Sequence, residues 1–241
     1  MSRRDEILAK IHTVPALPSS ATQVLALVEN KDAGIAEVMD AMKHDPALTA
    51  EVLRLANSSY FAGPREVSTL RDAGVLFGTD RIRQLVLASA VFPMARKKVK
   101  GYDLLPGRLL EHLITVAMGV EEMARRLNIR PPSHVFTAGL LHDVGKIVLG
   151  TFVEVDAGPI LQLAEQEGVS FEEAEQQVLG IDHAETGAAL LDAWKFPTPI
   201  VESVRWHHQP DAKDTPDTAT DLVHVCDLLS IEAGLGAGID G

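Results

Sequence analysis

Apolar residues recur along this chain at helical spacing, and the period-two alternation of a half-buried strand is not visible. Pro18-Ser19-Ser20 opens a stretch carrying Val24, Leu25, Leu27 and Val28. Asp45-Pro46 reads as an N-cap followed by proline at the first helical position, where no N–H is needed. The helix that follows, to about residue 57, puts Leu48, Val52 and Leu55 on one stripe. Ser68 caps a short helix ending at Gly78. Thr79 or Asp80 then caps a longer one to about residue 95, with Ile82, Leu85, Val86 and Ser89 facing inward. Residues 104 to about 127 carry Leu109, Leu113, Val116 and Val120 at helical spacing. Pro131-Pro132-Ser133 opens a helix over 136–149, and helices are predicted over 160–167 and 171–179. Asp182 caps a helix over 183–194, Pro197-Thr198-Pro199 starts one reaching His208, and the last runs from 220 to about 233. The tail from Gly234 to Gly241 is glycine-rich and expected to be loose. The fold class is all-α.

Some of these stripes contain residues that do not belong in a core. The helix over 136–149 is apolar through Leu140, Leu141, Val144, Ile147, Val148 and Leu149, yet it includes His142, Asp143 and Lys146. Burying unpaired ionisable groups costs several kcal/mol or shifts their pKa. His142 and Lys146, four apart, share a helical face. His112 lies at the edge of the Val116–Val120 stripe, and His183 shares one with Gly187, Leu190 and Trp194. His207 and His208 follow the face of Ile200 and Val204, and Asp227 stands between Val223 and Ser230. One such histidine is most simply a hydrogen-bonded core residue. Five histidines and two aspartates on five predicted helices, all pointing inward, call for a common cause. Imidazole and carboxylate without thiolate suit Fe, Mn, Zn, Ni or Co. Seven donors exceed one tetrahedral site and suggest two metals sharing a carboxylate. His12, His44, His134 and His224 fall outside this pattern and read as ordinary residues.

Composition narrows the setting. A chain of 241 residues can bury one or two cores. Its net charge of −12 excludes binding to nucleic acid through the overall field. The single cysteine, Cys226, permits no internal disulfide, as suits a reducing compartment. The N-terminus is charged and lacks the apolar run of a signal peptide. No stretch reads as long and apolar enough to cross a bilayer. The expectation is a cytoplasmic protein with no membrane association. The basic run Arg96-Lys97-Lys98-Val99-Lys100-Gly101 reads as a solvated linker, dividing the chain into 1–100 and 101–241.

Leu140-Leu141-His142-Asp143-Val144-Gly145-Lys146 resembles the signature of the HD superfamily of metal-dependent phosphohydrolases. The order His112, His142-Asp143, His183, His207-His208, Asp227 is similar to the ligand order of its two-metal members, such as the HD-GYP cyclic-di-GMP phosphodiesterases. Pro15-Ala16-Leu17-Pro18, Asp45-Pro46-Ala47-Leu48-Thr49 and Leu53-Arg54-Leu55-Ala56-Asn57-Ser58 resemble the HDOD family, the HD-related output domain of bacterial signalling proteins. The resemblance implies an HD-type helical bundle preceded by an N-terminal helical subdomain. It implies one metal on His112, His142, Asp143 and Asp227, and a second on Asp143 as bridge with His183, His207 and His208. The cofactors would be one or two divalent transition metals, Fe or Mn ahead of Zn or Ni. Asp143 and Lys146 take the catalytic positions. Lys146 faces a substrate phosphate or partners a carboxylate, and the resemblance leaves both roles open. Typical HDOD domains have lost several of these ligands, whereas this chain keeps all seven. His207-His208 is followed by Gln209-Pro210-Asp211, without the Gly-Tyr-Pro loop of the HD-GYP enzymes. The implied function is a signalling output module with a binuclear site, acting through contacts with signalling proteins. The alternatives are a phosphohydrolase or phosphodiesterase acting on a cyclic dinucleotide or a related nucleotide-like phosphoester, and a metal- or redox-responsive sensor.

Overall fold

The structure, a computed structural model, describes residues 2–28, 34–58, 61, 66–213 and 215–236. Among these residues it is all-α, and the strand-type pairing present is the isolated antiparallel bridge between Val99 and Leu104. The chain forms two compact units, Ala16–Pro93, and Met1–Pro15 together with Met94–Gly241. This differs from a division at residue 100 in two ways. Helix α1 (Arg3–Lys10) belongs with the later part of the chain, where Ile7 is fully buried. The basic run is a packed corner and not a linker. Val99 exchanges two main-chain hydrogen bonds with Leu104, at 3.1 and 3.2 Å, and Val99 and Tyr102 are fully buried. A Cβ on Gly101 would lie 2.5 Å from the Val155 carbonyl oxygen, so only glycine permits that approach.

The unit Ala16–Pro93 holds α2 (Ser19–Val28), α3 (Ile35–Met42), α4 (Pro46–Ala56), α5 (Leu70–Phe77) and most of α6 (Thr79–Ala95). Asp45 caps α4 as expected: Oδ1 accepts the Leu48 N–H at 2.9 Å, and Oδ2 accepts the Ser20 hydroxyl at 2.5 Å. Thr69, and not Ser68, caps α5, its hydroxyl oxygen accepting the Asp72 N–H at 3.0 Å. Asn57 closes the α4 end on the segment beyond it. Its Nδ2 donates to the carbonyls of Leu53 (2.9 Å) and Val67 (2.8 Å), and its Oδ1 accepts the Val67 N–H at 2.7 Å.

The second unit continues with α7 (Arg108–Arg126), α8 (Val135–Leu141), α9 (Val144–Ile147), a π-helical turn (Val148–Val153), α10 (Ala157–Glu167), α11 (Phe171–Leu179), α12 (His183–Ala193), α13 (Thr198–Arg205) and α14 (Thr218–Glu232). The predicted α7 stripe is buried, and Val116 and Val120 pack with Val135, Ala138, Leu222 and Val223 of α8 and α14. Glycine sets two of the close crossings. A Cβ on Gly139 would lie 3.0 Å from Ala117 Cα, and one on Gly145 would collide with the His183 carbonyl oxygen.

Three expectations are corrected here. The helix over 136–149 is interrupted at its centre, where Asp143 adopts φ −97°, ψ 13°, outside the helical well. The helix expected to reach His208 ends at Arg205, leaving both histidines in the following turn. The run Val135–Val153 is long and apolar enough to cross a membrane, which the sequence pattern did not suggest, but 89% of its apolar window is buried inside the fold. It serves as a core element. Of the tail, Gly234 and Leu235 are hydrogen-bonded to Ile231 and Ser230, and 237–241 lie outside the described residues.

Candidate metal centre

All seven sequence-derived donors belong to the second unit and converge. His112 comes from α7, His142 and Asp143 from the break between α8 and α9, and His183 from the first turn of α12. His207 and His208 follow α13, and Asp227 sits in α14. Asp182 places His183 by capping α12, accepting the Glu185 N–H at 2.7 Å. Six of the donors are buried, and His208 is half-buried.

They fall into two groups suited to metal ions, His112–His142–Asp227 and Asp143–His183–His207–His208. In the first, Asp227 Oδ1 lies 3.0 Å from His112 Nε2 and 3.5 Å from His142 Nε2. In the second, Asp143 Oδ1 lies 3.3 Å from His183 Nε2 and 3.8 Å from His207 Nε2, and His183 Nε2 is 2.7 Å from His208 Nε2. Asp143 faces both groups, because its Oδ2 is 3.5 Å from His112 Nε2 and 3.6 Å from His142 Nε2.

The outer ring nitrogens explain the convergence. His112 Nδ1 bonds the Leu235 carbonyl at 3.0 Å, His142 Nδ1 that of Gly139 at 2.8 Å, and His207 Nδ1 that of Val204 at 2.6 Å. His183 Nδ1 bonds Glu175 Oε2 at 2.6 Å. Carbonyl and carboxylate oxygens accept, so each Nδ1 carries the proton and directs an Nε2 toward the centre. The Nε2 atoms of His112 and His142 are 3.1 Å apart, a separation that requires a proton or a cation between their lone pairs. Asp143 Oδ1 and His207 Nε2 are buried and make no hydrogen bond. Buried polar atoms of this kind need a partner, and these nitrogen and oxygen donors fit a borderline or hard divalent ion.

Electrostatics divide four of the rings into two that favour a proton, His142 and His183, and two that do not, His207 and His208. Burial opposes charge on His142, but Asp143 and Asp227 outweigh it and hold the ring above its ordinary value. Burial likewise opposes charge on His183, and Glu175 raises it to about 10. His207 is pushed down to about 3 by burial and by the charges of His142 and His183. Burial also drives His208 well down, with His207 and His183 adding to it. Asp143 and Asp227 are buried, yet both stay well below the usual carboxylate range. Lys146, His142 and His183 hold Asp143 there, and bonds from His112 and His142 hold Asp227. Lys146 Nζ lies 2.5 Å from Asp143 Oδ2 and is buried, so the carboxylate partnership is the contact observed.

Four contributors were missed in the sequence. Glu175 is fully buried and receives both His183 Nδ1–H and the His183 main-chain N–H, the latter at 2.8 Å. Tyr102 donates its hydroxyl to the other Glu175 oxygen. The Leu235 carbonyl orients His112, and His224 Nδ1 bonds the His207 carbonyl at 2.7 Å. Glu175 was findable: it lies on the Phe171–Glu175–Leu179 stripe, a polar residue at a core position like the others. Tyr102 and Leu235 left no such signal.

A cavity of about 500 Å³ opens onto His183, His208 and Asp227, and so reaches both groups.

A helical domain with an inward His–Asp pair met by histidines and an aspartate from neighbouring helices is of the HD type. The HDOD domain profile matches residues 14–210, and the chain belongs to the HDOD family. An HDOD domain protein with unknown function from Geobacter sulfurreducens is 27% identical, with a TM-score of 0.80 over 98% of this chain and 80% of that one. A Shewanella amazonensis SB2B protein named "Putative phosphohydrolase" is 32% identical, with a TM-score of 0.76 over 95% of this chain and 81% of that one. Among curated proteins, an uncharacterised protein of Treponema pallidum (strain Nichols) is 22% identical over 205 residues. That match covers 84% of this chain and 39% of the relative, so the chain spans about two fifths of the relative's length.

Proposed function

We propose that this chain is an HDOD signalling module built around a two-metal centre. His112, His142 and Asp227 would hold one ion, His183, His207 and His208 the other, and Asp143, which faces both groups, would serve both. The observation that carries this reading is the set of four rings anchored through Nδ1, whose Nε2 atoms face two central carboxylates. Donors of this type suit Fe or Mn, and also Zn or Ni. Elemental analysis of the purified or reconstituted protein is expected to find one or two such ions per chain. Protein that carries none, and takes up none on reconstitution, overturns the reading. Output through contacts with signalling proteins is part of the proposal and rests on family membership.

A second reading, phosphoester hydrolysis, is favoured by the cavity that reaches both donor groups. Bound divalent ions supply Lewis acidity toward a phosphoryl oxygen and activate water. Asp143 holds the two donor groups together, and Lys146 keeps it ionised. Assays on cyclic dinucleotides, cyclic mononucleotides, nucleoside phosphates and a bis-aryl phosphate with Mn or Fe test this. Activity that survives Asp143→Asn would place the chemistry elsewhere.

A further inference from the structure

The cavity beside the metal-type residues has mainly apolar walls. Leu161 and Ala164 of α10, Val169 and Phe171 at the start of α11, and Leu228 and Ile231 of α14 supply carbon. Leu228 is 47% exposed, so this apolar surface faces open space. Away from the metal-type donors the charged wall residues are the carboxylates Glu165 and Glu172, the other polar ones are Ser170 and His224, whose Nδ1 is bonded to the His207 carbonyl, and no lysine or arginine is among the lining residues. A neighbouring cavity of about 340 Å³ shares Glu172 and His208 and adds Asp182 and Glu185. Its cation, Arg205, is bonded to Glu202 at 3.3 Å.

A ligand with several phosphates needs a cation or N–H cradle for each one. The donor groups, once metal is bound, are the positive centre at one end of this cavity. At the start of α11, which also lines it, the Ser170 and Glu173 N–H groups are taken up by the capping box, bonded to Glu173 Oε2 at 3.1 Å and Ser170 Oγ at 3.4 Å. Any further phosphate would lie against carbon or against Glu165 and Glu172, with like-charge repulsion and no compensating bond. The apolar walls instead stabilise a ligand body made of carbon, since removing apolar surface from water is favourable. The volume is in the range of small-molecule sites, roughly 300–1,000 Å³.

We infer that the cavity takes a phosphoester with one phosphate and an apolar alkyl or aryl body, its phosphate at the metal end and its body between α10, α11 and α14. Cyclic dinucleotides and nucleoside polyphosphates are disfavoured. This rests on the phosphohydrolase reading above and narrows its substrate class.

Titration calorimetry on the metal-loaded chain tests it, with hexyl phosphate, inorganic phosphate and cyclic-di-GMP as probes and metal content measured on the same samples. Hexyl phosphate is expected to bind on the order of 10- to 100-fold more tightly than inorganic phosphate. It should also bind more tightly than cyclic-di-GMP. Ala164→Trp, which fills the cavity, should bring the alkyl preference close to parity. Leu228→Asp, at a position 47% exposed, should reduce it, with metal content measured on the same sample. Equal affinity for hexyl and inorganic phosphate in metal-loaded protein overturns the inference and leaves the metal centre standing. Tighter binding of cyclic-di-GMP than of hexyl phosphate also overturns it. An alkyl preference abolished by Ala164→Trp, in protein that takes up no metal, keeps the cavity assignment and overturns the metal centre.

Discussion

Glu175 accepts two hydrogen bonds from His183 with a single oxygen, one from ring Nδ1 at 2.6 Å and one from the main-chain N–H at 2.8 Å. One contact fixes the ring, its tautomer and the start of α12 together. Glu175→Gln keeps the shape and removes the charge. Outer carboxylates of this kind are worth about 10–100-fold in metal affinity. We expect that loss at the His183 group alone, read as one weakened site in a two-site metal titration. An equal loss at both sites would contradict the assignment.

The two oxygens of Asp143 face different donor groups, Oδ1 toward His183 and Oδ2 toward His112. His112→Ala and His183→Ala should therefore each leave one ion per chain, while Asp143→Asn lowers occupancy at both positions. Metal analysis of the three variants checks this. Retention of two ions in Asp143→Asn would sink the bridging role.

Gly145 sits where α9 meets the start of α12, and an added Cβ would collide with the His183 carbonyl and lie 2.7 Å from the Gly187 nitrogen. Both obstacles are backbone and cannot swing aside. Gly145→Ala should cost about 1–3 kcal/mol of stability and weaken metal binding at the His183 group. A thermal melt unchanged from the parent would show that the crossing relaxes freely.

Asp217 caps α14, accepting the Ala219 N–H at 3.2 Å, the Thr220 hydroxyl at 2.7 Å and Lys213 Nζ at 2.9 Å. Burial opposes ionisation, but Lys213 and these bonds hold the carboxyl below its ordinary range. A depressed folded-state value means that its ionic contribution is present above the unfolded value. It is lost as pH falls through the folded one. Asp217→Asn keeps a capping oxygen and removes the charge. The parent should be the more stable at pH 7, with the difference closing below about pH 4. Paired denaturation curves at the two pH values measure it. A gap that persists at low pH would mean the cap works without its charge.

The helical pattern, the Asp45 and Asp182 caps, the buried α7 stripe and the seven converging donors were legible in the sequence. The caps and the α7 stripe depend on local structure, and so do His112, His183 and Asp227: a polar residue at a core position of an amphipathic helix must point inward wherever that helix packs, whereas His207 and His208 lie past the end of α13 and Asp143 sits in a helix break. Glu175 obeyed the same rule and was overlooked. What tertiary structure alone decided has no local signature. The break at His142-Asp143 is one such feature, because 136–149 carries a helical pattern throughout while Asp143 leaves the helical well among donors from other helices. Tyr102 is another, since it directly follows a basic run and is buried at the corner where Val99 pairs with Leu104. The division of the seven donors into two groups is a third. The donor types follow from residue identity, but their grouping depends on how α7, α8, α12, α13 and α14 pack, and long-range packing is not encoded in the spacing of any one helix.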